Sequence, residues 1–363
     1  KDYDRMQKTI HTLLAFGLVA GALLTVIGMT LSPVMLRLMD TPETVLPNSI
    51  SYFRTYFTGS LAFVLYNICM GILQAVGDSR HPLQYLIISS LVNVVLDLLF
   101  VGVFHMGAAG AAWATIAAQA LSLVMSIVFL RRRDFVFDFH PRSFKMDKAL
   151  AVQLVKLGIP ASLQGTLVSL SFMVLMTVAN GVAGLTGSAA LSIAGKVNSV
   201  AILPSLAMQA SVSSMAGQNI GAGKHDRVKQ GFHCGMRIEA AYGVLIAVVC
   251  FTGAPFIMKL FVTDPEVVHL GVRFLRTVSL FYLMPAATNG IQGFFRGIGD
   301  LKVTLVSSTF NMVFRVAAAA VFVLVWKMEI EALPYSYAVG WVVMLLYELP
   351  MLVRYLRSHG DEL

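Results

Sequence analysis

Residues 83–104, LQYLIISSLVNVVLDLLFVGVF, carry one charge in 22 positions, and stretches of this kind recur along the whole chain. Comparable runs lie at about 9–33, 48–71, 108–130, 150–180, 188–217, 231–262, 268–293, 302–326 and 333–354. A helix of about 20 apolar residues rising about 1.5 Å each crosses the ~30 Å hydrocarbon layer of a bilayer. In that layer every backbone group needs an internal partner, so only helices or a closed barrel can span it. The runs do not alternate apolar and polar residues as a barrel would. The chain reads as an all-α, multi-pass membrane protein, and 57% hydrophobic against 13% charged residues agrees with that class.

A net charge of +8 would suggest nucleic acid in a water-soluble domain. Here the positions of the basic residues carry more information than their sum. Alternating the connections between two membrane faces puts eighteen Lys and Arg on one face, including Arg80, Arg131, Arg132, Arg133, Arg296 and Lys302. Six fall on the other: Arg37, Arg54, Lys259, Arg273, Arg276 and Lys327. The richer face is expected to be cytoplasmic, with both ends of the chain on that side of the cell membrane. Lipid is the expected surroundings and nucleic acid is not an expected partner. Cys69, Cys234 and Cys250 are odd in number and lack metal-ligand spacing, so they read as small apolar fillers.

Shifted by 222 residues, the chain lies on itself. Asp4-Arg5 meets Asp226-Arg227, Arg54-Thr55 meets Arg276-Thr277, Asn67 meets Asn289, Gly71 meets Gly293, and Gly77-Asp78 meets Gly299-Asp300. Farther on, the register slips by about one turn, and SSLVNVVLD (89–97) meets SSTFNMVFR (307–315), so that Asp97 stands opposite Arg315. Both copies keep helix order and orientation, which implies two lobes related by an axis along the membrane normal. The second lobe reads as six helices and the first as four. The expected architecture is therefore two six-helix lobes, with about ten helices present and two missing from the start. The expected divisions are an incomplete first lobe over 1–130, a charged cytoplasmic linker over 131–148 and a second lobe over 149–363.

These residues carry a resemblance. GILQAVGDSRHP (71–82), NVVLD (93–97), GAAGAAWAT (107–115), LPSLAMQASVSSMAGQNIGAGKHDR (203–227) and GFFRGIGD (293–300), together with the repeat, make the chain resemble the MATE (multidrug and toxic compound extrusion) family. The resemblance implies two six-helix lobes exporting amphipathic, often cationic, organic molecules in exchange for H⁺ or Na⁺. It implies a monomer, no enzyme activity, and no cofactor beyond the coupling ion. The expected function is secondary active antiport. The alternative is a flippase for lipid-linked saccharides, within the same superfamily.

Asp97 lies about 8 residues from the outer end of its span, so about 12 Å deep, and Thr115 on the next helix lies about 10 Å deep. Asn93 sits one turn from Asp97 on the same face. A bare carboxylate at that depth costs several kcal/mol, so it must be protonated, paired or ligated. Neutral oxygens around one acid suit a small hard cation or a proton. Asp97, Asn93 and Thr115 are the candidate cation-coupling site, with Na⁺ at Asp97 as the sole metal considered. The blander reading is an Asp97–Asn93 bond that only holds helices together. By the resemblance, the trio matches the first-lobe cation site of prokaryotic members, and the second-lobe positions that carry acids in some members read Gln164 and Pro285, neither of which titrates.

In the second lobe, Lys196 and Arg315 read as buried cations in the outer half, where they could repel cationic cargo, hold an anion, or snorkel. They join Gln164, Met173, Met208 and Met284 as candidate lining of a substrate cavity. Glu239 and Glu348 read as interfacial. Gly77-Asp78 and Gly299-Asp300 end equivalent helices and read as hinge or gate turns. The histidines lie at span ends or in loops, which leaves an intramembrane enzyme without a nucleophile–base pair at one depth.

Overall fold

A computed structural model describes residues 3–38, 41–132 and 145–358, which are helical with short connections and contain no strand. The chain divides into two compact units, Lys1–Val155 and Lys156–Leu363.

Unit 1 holds α1 (Tyr3–Leu38), α2 (Leu46–Thr58), α3 (Ser60–Ala75), α4 (Arg80–Asp97) and α5 (Gly107–Arg132), with a π-helical turn over Leu98–Val103 continuing α4. The run expected at 48–71 is a bent pair: α2 and α3 meet at 46° around Gly59. A side chain at Gly59 would have its Cβ 2.5 Å from Ile116 Cγ1, so glycine lets α5 approach the bend. The unit's core collects Ile10, Leu14, Cys69, Leu73, Tyr85 and Leu130. Outside that core the helices expose apolar side chains such as Leu23, Val26, Leu91, Val95 and Leu98. An exposed apolar shell is what a hydrocarbon solvent requires.

The linker expected over 131–148 falls, for residues 133–144, outside the described residues. The segment after it belongs to unit 1 because Asp147 ties it down. Its backbone N–H donates to Thr12 Oγ1 at 3.1 Å, while its Oδ1 accepts from Ala149 N and Leu150 N at 2.9 and 3.1 Å. That is an N-cap anchored on α1. The seam therefore lies between Val155 and Lys156, about two turns past residue 149.

Unit 2 continues from this helix. The helical stretch Lys148–Gly221 is divided at Gly184, whose φ of +58° reverses the chain, into α6 (Lys148–Val182) and α7 (Thr186–Gly221). Ser188 Oγ bonds to Asn180 Oδ1, and a Cβ on Gly195 would stand 3.4 Å from Phe172 Cε2. Neither contact is geometrically available along a straight helix. Then follow α8 (His225–Phe261), α9 (Pro265–Ser279), α10 (Leu283–Gly297), α11 (Leu301–Leu324) and α12 (Ala332–Ser358). Helices α9 and α10 form a second bent pair at 54°. Among the described residues, eight span-length helices and two bent pairs match the ten apolar runs read from the sequence.

Candidate functional site

In unit 1, α4 and its π-helical continuation pack against α5. The switch of helix type begins at the residue after Asp97. Single-turn π segments redirect the side chains beside them and recur at functional positions. Asp97 Oδ1 and Asn93 Nδ2 are both withdrawn from solvent and have no hydrogen-bond partner among the described residues. Asn93 thus does not donate to Asp97 through that nitrogen. No basic side chain pairs with Asp97 among the described residues. Thr115 Oγ1 donates to the Ala111 carbonyl of its own helix at 3.0 Å, so its proton is engaged while its oxygen can still accept or ligate.

Unit 2 is built around a different chemistry. A cavity of about 760 Å³ is walled by α6, α7, α10, α11 and α12. Its apolar wall includes Phe172, Met173, Trp341 and Met344, and its polar wall is a chain of amides. Arg296 Nη2 donates to Gln164 Oε1 at 2.6 Å; Gln164 Nε2 donates to Ser308 Oγ at 2.8 Å and to Gln292 Oε1 at 3.1 Å. Gln209 Nε2 also donates to Gln292 Oε1, at 3.0 Å. Gln292 Nε2 in turn donates to Glu348 Oε1 at 3.0 Å and to Ser307 Oγ at 3.3 Å. Gln292 is the hub, with two bonds accepted and two donated, the full capacity of its amide.

Small residues let this hub form. A Cβ on Gly293 would stand 2.5 Å from the Gln209 carbonyl oxygen, and one on Gly297 would stand 2.6 Å from that of Ser213. The backbones of α7 and α10 therefore touch where their amides meet. Gly71, opposite Gly293 in the repeat, has open space around it.

Glu239 and Glu348 differ from the interfacial reading. They are 1% and 0% exposed, and each is held by a neutral donor, Ser205 Oγ for Glu239 at 2.8 Å and Gln292 for Glu348. Their second oxygens, Glu239 Oε1 and Glu348 Oε2, have no partner among the described residues. Lys196 differs as well: its side chain is exposed and outside the cavity lining, because the face of α7 that turns inward carries Gly195, Asn198 and Ser199. Met208 and Met284 also lie off the lining, packed instead against the two hydrophobic clusters of the unit. Gln164, Met173 and Arg315 line the cavity. Arg315 is 9% exposed, with its Cζ 4.2 Å from the centroid of the Tyr337 ring.

Sequence reasoning passed over Arg296 and Gln292. Arg296 reads from the sequence as a cytoplasmic charge, yet it reaches into the wall beside Gln164. The available signal was helical spacing: Pro285, Thr288, Gln292 and Arg296 on α10, and Ser308, Asn311 and Arg315 on α11, each fall three or four apart and all line the cavity.

The two Gly-Asp turns share one geometry. Gly77 and Gly299 have φ of +89° and +85°, and Asp78 N and Asp300 N donate back to Leu73 O and Phe295 O at 2.9 Å each. Only glycine adopts that conformation at little cost. The side chains then diverge. Asp300 Oδ1 accepts from Lys302 N at 3.2 Å, whereas Asp78 takes His81 N at 3.2 Å and His81 Nδ1 at 2.6 Å. Partial burial pushes the Asp78 carboxyl upward, but the bonds from His81 and the Arg80 backbone outweigh it and hold its pKa below the usual value. Among the described residues no three His, Cys, Asp or Glu side chains are grouped to hold a metal ion.

Known proteins bear on this arrangement. Over 355 residues the chain is 31% identical to the "Probable multidrug resistance protein YoeA" of Bacillus subtilis, covering 95% of this chain and 76% of that one. It is 32% identical over 281 residues to YpnP of the same organism, likewise named a probable multidrug resistance protein, covering 77% of this chain and 62% of that one. Among solved structures, an outward-facing MATE family transporter of the MOP superfamily superposes with a TM-score of 0.92 at 22% identity, covering 98% of this chain and 81% of that one. The MatE family profile matches residues 1–99 and 160–321. This multi-pass helical chain belongs to the MatE family of membrane transporters.

Proposed function

We propose that the protein exports small amphipathic organic compounds in exchange for H⁺ or Na⁺, working as a monomer with the ends of this chain in the cytoplasm. The observation that carries the reading is the buried, unpartnered pair of Asp97 Oδ1 and Asn93 Nδ2 beside the π-helical turn. An intramembrane carboxylate without a permanent counter-charge is stable only while a proton or a cation neutralises it. Half a turn of the Asn93 amide would present its oxygen to the same point, and Thr115 adds a hydroxyl oxygen on the adjoining helix. One carboxylate and two neutral oxygens suit Na⁺, or a proton shared with the amide. Occupancy then biases a two-state conformational equilibrium, because the ion binds one state more tightly than the other. The names of YoeA and YpnP, as probable multidrug resistance proteins, support export as the direction and drugs as one substrate class. The Gly77-Asp78 and Gly299-Asp300 turns serve as hinges or gates in that cycle.

A second reading, flipping of a lipid-linked saccharide, is favoured by one observation: Arg296 and Arg315 on the wall of the unit 2 cavity. The two readings part in vesicles carrying the reconstituted protein under imposed pH or Na⁺ gradients. Export predicts that soluble dye moves in response to one gradient, and that Asp97→Asn abolishes the response while leaving insertion intact. Dye movement indifferent to both gradients, or normal coupling in the variant, would rule out the exchange mechanism.

A further inference from the structure

The unit 2 cavity carries two charged side chains on its lining, Arg296 and Arg315, and no acidic one among the described residues. Arg315 is 9% exposed, its Nε has no hydrogen-bond partner, and no acidic side chain pairs with it among the described residues. Its Cζ sits over the Tyr337 ring at 4.2 Å. That contact offsets part of the cost of burying the charge. It does not satisfy the guanidinium N–H groups, which lie in the plane of the group and point along its edge rather than at a stacked ring.

Arg296 is arranged in a similar way. Nη2 is committed to Gln164 Oε1 at 2.6 Å, while Nε is buried without a partner. The carboxyl of the network, Glu348, does not line the cavity and is joined to Arg296 through the neutral amides of Gln292 and Gln164. Positive charge thus faces the cavity, and the acidic side chain of the network is kept behind the wall.

We infer that the unit 2 cavity binds the oxyanion of an amphipathic organic molecule, with a carboxylate, sulfonate or phosphate against the edge of Arg315 and its apolar body against Phe172, Met173 and Trp341. A planar guanidinium fork matches such oxyanions in bidentate fashion. The cavity volume of about 760 Å³ lies in the range that small-molecule sites occupy. Arg296 adds long-range attraction and a second donor. The same headgroup chemistry occurs on a soluble aromatic acid and on an anionic lipid. The inference rests on reading this cavity as the substrate site of an exporter, so the test measures binding rather than transport.

Trp341 lines the cavity, whereas Trp113 and Trp326 are exposed, so replacing both with Phe leaves Trp341 as the sole indole reporter. Quenching of Trp341 in the purified protein is titrated with naphthoate, with its neutral methyl ester and with naphthylmethylammonium. Naphthoate is expected to bind about tenfold or more tightly than the ester, as a charge-assisted bond to a buried partner implies, with the ammonium weakest. Arg315→Gln should bring the acid-to-ester affinity ratio close to one, Arg315→Lys should retain part of the preference, and Arg296→Gln should reduce it less. Equal affinity of acid and ester in the wild type overturns the proposal, and so does an undiminished preference in Arg315→Gln. If that variant loses ester binding as well, the wild-type acid-to-ester ratio decides.

Short-chain phosphatidate and the matching diacylglycerol, which has no oxyanion, are then used as competitors. Displacement by phosphatidate alone assigns the oxyanion to a lipid headgroup, and displacement by neither assigns it to a soluble acid. Equal displacement by both counts against any oxyanion preference. Retained anion binding in a protein without gradient-driven export sinks only the coupling reading, whereas lost anion preference in a protein that still couples sinks only this one.

Discussion

Asp97 and Arg315 stand at the same place in the repeated motif, SSLVNVVLD in unit 1 and SSTFNMVFR in unit 2, each four residues after an asparagine. Both have a polar atom that is buried and unpartnered, Oδ1 in one and Nε in the other. Their surroundings have diverged. Asp97 sits where α4 turns into a π-helix, with no hub of amides around it among the described residues. Arg315 faces a cavity whose polar wall is knitted by Gln164, Gln209 and Gln292. One helical scaffold thus holds a lone acid in one copy and a lone base in the other. A repeat fixes where a side chain emerges; the residue type there decides which ion it can exchange. An acid without a counter-charge can cycle a cation, while a base without one calls for an anion.

The comparison breaks most sharply at the charges themselves. Exchanging Asp97 for Asn should remove ion-driven transport altogether, a loss of about a hundredfold or more for an essential switch group. Arg315→Gln should instead leave the ion dependence in place and alter which compounds move. Gradient-driven flux measured with acidic and neutral dyes separates the two, and equal loss of coupling in both variants would merge the sites.

Next in size is the glycine pair. Gly293→Ala drives a Cβ to 2.5 Å from a backbone carbonyl, and should destabilise the protein by about 2–3 kcal/mol. Gly71→Ala meets open space within α3 and should be neutral or stabilising by up to about 1 kcal/mol. Thermal unfolding in detergent reads both, and matched effects would mean that the two units pack alike after all.

Gln292→Leu takes one of its donors from buried Glu348, at a cost of about 1–3 kcal/mol. Adding Glu348→Leu should recover much of that loss, because two apolar groups restore a matched pair. An additive double variant would show that the hub and the acid do not depend on each other. The smallest effect is expected at the Asp78 turn. Its carboxyl pKa is depressed in the folded protein, so its stabilisation is present above the unfolded value of about 4 and disappears as pH falls through the lower folded value. Asp78→Asn should cost about 0.5–1 kcal/mol at neutral pH and make acid unfolding less steep in that window. Unfolding curves that are parallel at all pH values would count against the His81–Asp78 bond.

Much of the fold was legible because a spanning helix announces itself by length and apolarity, which need no knowledge of neighbours. The ten runs, the paired Gly-Asp turns and the Asn93–Asp97 spacing all come from residues within a few turns of one another. Other features were not. Lys196 and Arg315 look alike as single basic residues in apolar runs, yet one points outward and the other lines a cavity. Arg296 looks like one more cytoplasmic charge, and Glu348 like an interfacial acid.

By itself the sequence determined that this chain is a multi-pass helical membrane protein, and that a few polar residues had to be hidden within its helices. Which of those residues meet, where the helices bend at Gly59 and before Leu283, and which side of α7 and α10 turns inward were decided by tertiary packing alone. The physical reason is that lipid and protein interior are equally apolar. Hydropathy therefore does not tell a helix which face to turn toward its neighbours; only small residues allowing close approach, and polar groups finding partners far along the chain, can do so.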